Sequence, residues 1–474
     1  MQNVKNGKKT IKGVVIAAPA SGSGKTTFTL GLLAALKNRG MKPAGFKIGP
    51  DFIDPGLHSM ITGLPGRNLD GWMLDRSVNL EIFARGAENA DIAVAEGVMG
   101  LFDGFSGASE AGSTAQMAKW LGLPVLLVAD ASKTARSFAA LVKGFAEFDP
   151  DCKICGVAAN NIAGPGHLKY LEEAMQQVPE VPFLGGIPKN SRAALPERHL
   201  GLFTAEDRVL TERRIHELAS LISDNLDLAG LVEMLPEIPA AAPDRPAWAG
   251  SGCRVAVARD AAFCFYYEDN LDVLREQGCE TVFFSPVNDR KLPDHIHGLY
   301  LGGGYPELYA SALSQNISMR DSIRRQSRAG MPAYAECGGF MYLCRQLTDV
   351  EENTFDMTGV FPFATRMQKR LAALGYRQIR LTRDTPLGPA GTVMRGHEFH
   401  YSRMENTDES AGVRSAYAVA DRTGANRGAS GWLSDRCLGS YVHLHFRSQP
   451  AIGGHFARIC RQFQNERQNR NEAP

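Results

Sequence analysis

An apolar run, Gly13–Ala18, passes straight into Pro19-Ala20-Ser21-Gly22-Ser23-Gly24-Lys25-Thr26-Thr27, and an amphipathic helical pattern spans Thr26–Asn38. Strand, glycine loop, Gly-Lys-Thr and helix in that order demand a β-α unit, because the loop must leave a strand and open a helix at once. Glycines let backbone N–H groups turn inward onto phosphate oxygens, and the helix N-terminus adds its positive dipole end. In such a loop Lys25 neutralises β- and γ-phosphates and Thr26 ligates Mg²⁺. The fitting strand and helix argue against a plain Gly/Ser turn. Pro19 stands where the standard pattern has its first glycine.

The chain continues in the same style. Strands are expected at Ala44–Ile48, Ile92–Glu96, Val125–Ala129 and Ile154–Ala159, with helices at Thr114–Leu121 and Ser137–Glu147. Such alternation is the signature of a parallel α/β sheet. Two acidic segments follow strands: Lys47-Ile48-Gly49-Pro50-Asp51-Phe52-Ile53-Asp54-Pro55, and Glu96-Gly97-Val98-Met99-Gly100-Leu101-Phe102-Asp103-Gly104. Ligands of open α/β sheets bind at the carboxyl ends of strands. All three segments should therefore gather on one edge, where carboxylates beside a phosphate loop favour a metal–nucleotide site over solvated loops.

A chain of 474 residues exceeds one core, so more than one domain is expected. The stretch 235–252 carries Pro236, Pro239, Pro243 and Pro246 with alanines and glycines, which is linker chemistry. The expected division is an ATP-binding domain at 1–234, the linker, a second domain at 253–464 and a polar tail at 465–474. In the second domain strands are expected at Arg254–Ala258, Thr281–Phe284 and Gly298–Leu301, and a helix at Asn270–Gln277. Short strands and turns should fill Met357–Ser402, and a late strand should lie around Tyr441–Phe446. A net charge of +1 gives no electrostatic footprint for nucleic acid or an anionic membrane. No apolar run is long enough to span a bilayer, and the polar, basic start does not read as a signal peptide. Nine scattered cysteines fit a reducing cytoplasm. Cys152-Lys153-Ile154-Cys155 lacks a second pair at zinc-finger distance and reads as coincidence.

The run Pro332-Ala333-Tyr334-Ala335-Glu336-Cys337-Gly338-Gly339-Phe340 reads as a nucleophile elbow: an apolar strand, a cysteine, two glycines and an apolar helical pattern. The glycines permit the tight turn, and the helix N-terminus should lower the thiol pKa. A nucleophile of this kind needs a base and an oxyanion hole. Leu301-Gly302-Gly303-Gly304-Tyr305-Pro306-Glu307 follows a strand and offers bare N–H groups, so Gly303, Gly304 and Gly338 are the expected donors. His443, in Tyr441-Val442-His443-Leu444-His445-Phe446, is the expected base. In a regular strand it shares a face with His445. His397 and His400 compete, but two imidazoles are too few for a metal site.

Taken in order, these motifs resemble the cobyrinic acid a,c-diamide synthase family, also called the hydrogenobyrinic acid a,c-diamide synthases, over roughly residues 11–462. The resemblance implies a dethiobiotin-synthetase-like P-loop domain followed by a class I glutamine amidotransferase-like α/β domain. It implies amidation of the a and c acetate carboxylates of a corrin by way of acyl phosphates, using ATP, Mg²⁺ and glutamine, in cobalamin biosynthesis. Cys337 then matches the nucleophile and His443 its histidine, while Gly22, Gly24, Lys25, Thr26 and Thr27 match the ATP loop. Asp51 and Glu96 match the Mg²⁺ partners of Thr26, and Asn160 the base-recognition asparagine of the dethiobiotin synthetase group. Lys47, Asp54 and Asp103 are assigned to substrate or activation. A homodimer through the first domain rests on family analogy alone. One departure stands out: many amidotransferases carry a glutamate two residues after the histidine, and here that residue is His445. A synthase acting on nickel sirohydrochlorin stays open. Cobyric acid synthase is disfavoured by the Lys47–Asp54 segment. A ParA-like switch is disfavoured by Cys337 and His443, for which it has no use.

Overall fold

The computed structural model describes residues 10–189, 210–239, 252–405 and 412–472, with side chains up to 469. Two compact units divide the chain, Met1–Asp244 and Arg245–Pro474.

In the first unit the strands are β1 (Thr10–Ala17), β2 (Pro43–Ile48), β3 (Arg67–Leu69), β4 (Ile92–Glu96), β5 (Val125–Asp130), β6 (Ile154–Ile162), β7 (Phe183–Pro188) and β8 (Glu237–Pro239). The order is β3-β2-β4-β1-β5-β6-β7, all parallel, with β8 antiparallel to the start of β1. Every residue of β2 and β4 is buried, which is why these strands read as apolar runs and not as alternations, with Lys47 and Glu96 the charges near their carboxyl ends. β1 lies between β4 and β5, and the sheet is built outwards on both sides of it. The phosphate loop therefore leaves the sheet at its switch point, where a doubly wound fold opens a crevice. The helix Lys25–Asn38 that follows is buried along most of its length, and at Gly31 it meets the helix Glu212–Ser223: a Cβ there would lie 2.6 Å from Ile222. Of the segment expected to be linker, Glu237–Pro239 forms β8, and 240–251 lie outside the described residues. β7 escaped notice because its interior is Gly185-Gly186, and glycine is depleted in strands.

The second unit holds β9 (Cys253–Ala258), β10 (Cys279–Phe284), β11 (Gly298–Leu301), β12 (Ala333–Glu336), β13 (Gln346–Thr348), β14 (Thr354–Asp356), β15 (Ala364–Met367), β16 (Ala373–Leu381), β17 (Val393–His400), β18 (Ser402–Glu405), β19 (Arg414–Asp421), β20 (Asn426–Ser434), β21 (Cys437–Ser440) and β22 (His443–Leu444). Ten form one sheet, β10-β9-β11-β12-β21-β20-β19-β16-β17-β22, parallel from β10 to β21 and antiparallel beyond; β13, β14, β15 and β18 form a smaller one. The antiparallel half occupies part of the region expected to be short strands and turns: β16 has nine residues and β17 eight. Of the strand expected around Tyr441–Phe446 only His443–Leu444 forms one, β22, and a tight helical turn begins at Phe446. The expected tail is helix through Glu472, because the helix Ala451–Glu472 is anchored by buried Cys460 and Phe463. The fully buried rings of Tyr300, Tyr334 and Phe446 lie 5.4–5.7 Å apart and form the core beneath β11 and β12.

Candidate active site

In the first unit Gly22 and Gly24 take left-handed backbone angles, φ +81° and +91°. At Gly24 the space is also closed: a Cβ would lie 2.2 Å from Nδ2 of Asn160. Asn160, near the end of β6, donates that amide to Ser23 O at 2.9 Å and so braces the loop. Lys25 Nζ donates to Met99 O at 2.6 Å and to Ala20 O at 3.3 Å. Burial, and then repulsion from Lys47, lower its pKa. Met99 holds a left-handed φ of +50°, strained for a side chain of its size, and its carbonyl is the one that meets the lysine.

Glu96, wholly buried at the end of β4, is the hub of this edge. It accepts from Thr26 Oγ1 at 2.6 Å and Lys47 Nζ at 2.9 Å, and lies 3.0 Å from His58 Nε2. Lys47 also pairs with Asp54 at 2.5 Å. Burial alone would lower the Lys47 pKa, but Glu96 and Asp54 outweigh it and raise it. Burial alone would raise Glu96, but Lys47, His58 and Thr26 hold it well below the usual carboxylate range. Asp54 is raised, by burial and then by Asp51 and Glu96. Of the expected trio of Thr26, Asp51 and Glu96, Thr26 and Glu96 are in direct contact. Asp51 spends Oδ1 on the N–H groups of Ile53 and Asp54 at the start of the helix Ile53–Thr62, and it is Asp54 whose carboxylate lies 3.5 Å from Thr26 Oγ1. Asp103 accepts from Gly100 N and so holds its own loop. His58 was not anticipated. Its signal was the i, i+4 spacing from Asp54 on a helix that the proline-flanked segment concealed. Cys152 and Cys155 are pushed up to about 11 and about 12 by burial, in keeping with an inert pair.

In the second unit Cys337 caps β12 with φ +46° and ψ −107°, a strained turn for a side chain with a Cβ, and the short helix Gly338–Leu343 follows. Its own N–H donates to Ser440 O at 2.7 Å, tying the elbow to β21. The expected lowering of the thiol pKa does not hold. Burial, and then Glu307, push it up, and the Gly338 N–H only partly offsets them. Glu307 is itself pushed up to about 7 by burial.

The glycine loop closes over the elbow. A Cβ on Gly338 would lie 3.0 Å from Gly304 N, so these two N–H groups are neighbours. Gly303 is corrected as an oxyanion donor, because its N–H already donates to Phe265 O at 3.2 Å. Its need for glycine is different: a Cβ there would lie 2.3 Å from His443 Cε1, so the imidazole occupies that space. His443 pairs with His397 across β22 and β17. His397 is pushed down to about 3 by burial and by His443. His400 lies 2.7 Å from Ser402 O and 3.1 Å from Glu398, and it stacks on Tyr441. Three apart on β17, His397 and His400 face opposite sides and make no metal pair. Among the described residues no group of three Cys, His, Asp or Glu side chains could hold a metal ion.

Glu336, quoted in the elbow motif but given no role, is 1% exposed and accepts from Tyr334 OH (2.6 Å), Tyr300 OH (3.0 Å) and Leu444 N (2.9 Å). An acidic residue in the strand Ala333-Tyr334-Ala335-Glu336 was the signal that could have singled it out.

Residues 14–203 match the CobQ/CobB/MinD/ParA nucleotide binding domain, and residues 254–451 the CobB/CobQ-like glutamine amidotransferase domain. The chain is 45% identical to a cobyrinate a,c-diamide synthase of Syntrophotalea carbinolica, over 94% of this chain and 98% of that one. It is 41% identical to one of Dehalococcoides mccartyi, over 95% and 98%. Among solved structures, PurLQS from Thermotoga maritima matches at 18% identity, over 46% of this chain and all of that one, with a TM-score of 0.33, too low to bear on mechanism. No helix among the described residues is long and apolar enough to cross a membrane. Matched in both halves and along nearly its whole length, the chain belongs to the cobyrinate a,c-diamide synthase family.

Proposed function

We propose that this chain converts the a and c acetate carboxylates of a cobyrinate-type tetrapyrrole to amides, with ATP as activator and glutamine as nitrogen source. The observation that carries the reading is that one chain holds both halves of the chemistry. One unit has a glycine loop with Lys25, Thr26 and a buried acid–lysine cluster; the other has a strained thiol elbow, Cys337, whose preceding residue Glu336 lies 3.8 Å from His443.

A carboxylate is a poor electrophile and its charge repels nucleophiles, so it must first be activated. In the first unit the substrate carboxylate attacks the γ-phosphoryl group and ADP leaves, giving an acyl phosphate. Catalysis there is positioning and charge neutralisation. Gly22, Gly24 and the N–H groups of Thr26 and Thr27 cradle phosphate oxygens, Lys25 neutralises them, and Asn160 recognises the base. Lys47 and Asp103 shape the edge where the carboxylate sits. Mg²⁺ is a hard ion that takes one or two carboxylates, a hydroxyl and phosphate oxygens. Thr26 Oγ1 lies 2.6 Å from Glu96 and 3.5 Å from Asp54, so Thr26, Glu96 and one of the neighbouring Asp51 and Asp54 would hold it. Bound there, the ion supplies positive charge at the transferring phosphoryl group.

In the second unit the Cys337 proton passes to His443, the sulfur attacks the glutamine amide, and the N–H groups of Gly304 and Gly338 stabilise the oxyanion. His443 returns the proton to the leaving nitrogen, which departs as ammonia, and water then hydrolyses the glutamyl thioester. Ammonia displaces phosphate from the acyl phosphate. All nine cysteines carry free thiols, which supports a reducing, cytoplasmic setting. The reading is tested by incubating the protein with ATP, Mg²⁺, glutamine and candidate tetrapyrroles and recording product masses. Two successive losses of the difference between OH and NH₂ are expected with a cobyrinate-type ring. A product bearing no amide with any ring sinks the proposal.

A further inference from the structure

A histidine that serves a thiol must present one ring nitrogen to the sulfur and have the other held, so that its tautomer and orientation are fixed. On its own segment His443 has no carboxylate to do this. The residue two places on, His445, is buried, stacked on Tyr267 at 4.8 Å between centroids, and pushed down to about 3 by burial.

A carboxylate does face the imidazole, from a different strand. Glu336 closes β12 and immediately precedes Cys337, and its Oε2 lies 3.8 Å from His443 Nδ1. Both side chains are at most 2% exposed. The separation exceeds a hydrogen bond, as is common for catalytic contacts that tighten around substrate. The carboxylate is not a loose neighbour. Tyr334, two residues back on the same face of β12, donates to Oε1, and Tyr300 on β11 donates to Oε2. Asn270 supports Tyr300 from behind, at 3.2 Å. The third donor is the N–H of Leu444, the residue after His443. One carboxylate therefore grips the backbone of β22 and faces the side chain that β22 carries. Since Glu336 and Cys337 are consecutive, the strand that aims the nucleophile also aims the base.

We propose that Glu336 is the positioning residue of this site: its carboxylate receives the Nδ1 proton of His443, turns Nε2 toward Cys337, and stabilises the imidazolium that forms when the thiol proton moves to Nε2. The third partner is supplied from the residue before the nucleophile, and His445 has no part in it. The inference rests on the reading of Cys337 and His443 as the glutamine-cleaving pair. The other groups near the ring do not compete for the role. His397 is held neutral over the working range, and Glu398 spends its carboxylate on Arg377 at 2.6 Å and on His400.

The test uses the full-length protein and measures glutamine hydrolysis, alongside amidation supported by ammonium chloride. Glu336→Gln is expected to lower the glutaminase kcat on the order of 10²- to 10⁴-fold with little change in KM. Ammonium-supported amidation should stay near wild type, and an unchanged chemical-denaturation profile certifies the fold of the second unit. Glu336→Asp should recover part of the loss. If both variants fail to fold, Tyr334→Phe decides, since it removes one donor that fixes the carboxylate: a smaller fall in kcat supports the assignment and an unchanged kcat overturns it. A folded Glu336→Gln enzyme with wild-type kcat overturns it directly. Retained glutaminase in Cys337→Ala overturns it by a separate route, by removing the thiol reading on which it stands.

Discussion

Single residues set both sites, and two of them show how burial and charge compete. Lys47 is nearly excluded from water yet stays charged, because Glu96 and Asp54 flank it at 2.9 and 2.5 Å. Removing one member of a buried ion cluster strands the others and costs about 3–5 kcal/mol. Lys47→Met should therefore lower the unfolding free energy from denaturant titration by that much as well as abolish amidation; an unchanged unfolding free energy would show that the cluster is not held by charge. Gly303 makes the opposite case, a residue defined by absent atoms. Because a Cβ there would meet the His443 ring at 2.3 Å, Gly303→Ala should cut glutaminase on the order of 100-fold through displacement of the imidazole. Ammonium-supported amidation should be spared. Kinetics with the two nitrogen donors separate that outcome from general damage. The Cys337 thiol was misjudged from sequence for a related reason. A helix terminus was legible in Gly338-Gly339, but burial and the approach of Glu307, which belong to the tertiary structure, decided the direction of the shift.

At the scale of elements, legibility followed burial pattern. The central parallel strands of both units were readable because burial on two faces leaves largely apolar runs, and β4 and β11 fall where they were expected. The phosphate loop was readable because its glycines, lysine and threonine sit between a strand and a helix that both declare themselves. Gly24 makes this testable. With φ +91° and the Asn160 amide 2.2 Å from a Cβ, Gly24→Ala should weaken ATP binding by at least tenfold, as a distorted loop withdraws its N–H groups. Titration calorimetry with a non-hydrolysable ATP analogue reads this, and wild-type affinity would place the phosphates elsewhere. What was not readable depended on partners far along the chain. β22 is two residues long and exists because it pairs with β17. The helix Ile53–Thr62 opens at Ile53-Asp54-Pro55-Gly56, a poor helical sequence, yet it carries both Asp54 and His58 to Glu96. Glu336 stood in the quoted motif, but its role needed the return of β22 to β12, which no local spacing announces.

For the whole molecule, two chemistries in one chain impose a shared pH window. His445 is wholly buried and held near 3, against 6.5 when exposed. The unfolded chain therefore binds a proton between these values that the folded chain does not, and stability falls as pH drops through that range. With about 1.4 kcal/mol per unit, His445 alone should remove on the order of 3 kcal/mol by about pH 4. His445→Leu should flatten the acid limb of the unfolding midpoint measured by chemical denaturation, and an unaltered slope would mean that this imidazole is not buried as described. The central claim is that the thiol unit only furnishes ammonia while the phosphate-loop unit makes the amide. The most direct measurement is tetrapyrrole amidation by Cys337→Ala, followed by mass spectrometry, with glutamine or ammonium chloride as the nitrogen source and Lys25→Ala run beside it. The account predicts no amide from glutamine and near-normal amide from ammonium in Cys337→Ala, and none from either source in Lys25→Ala. Loss of both activities in a folded Cys337→Ala, or amidation by Lys25→Ala, would contradict it.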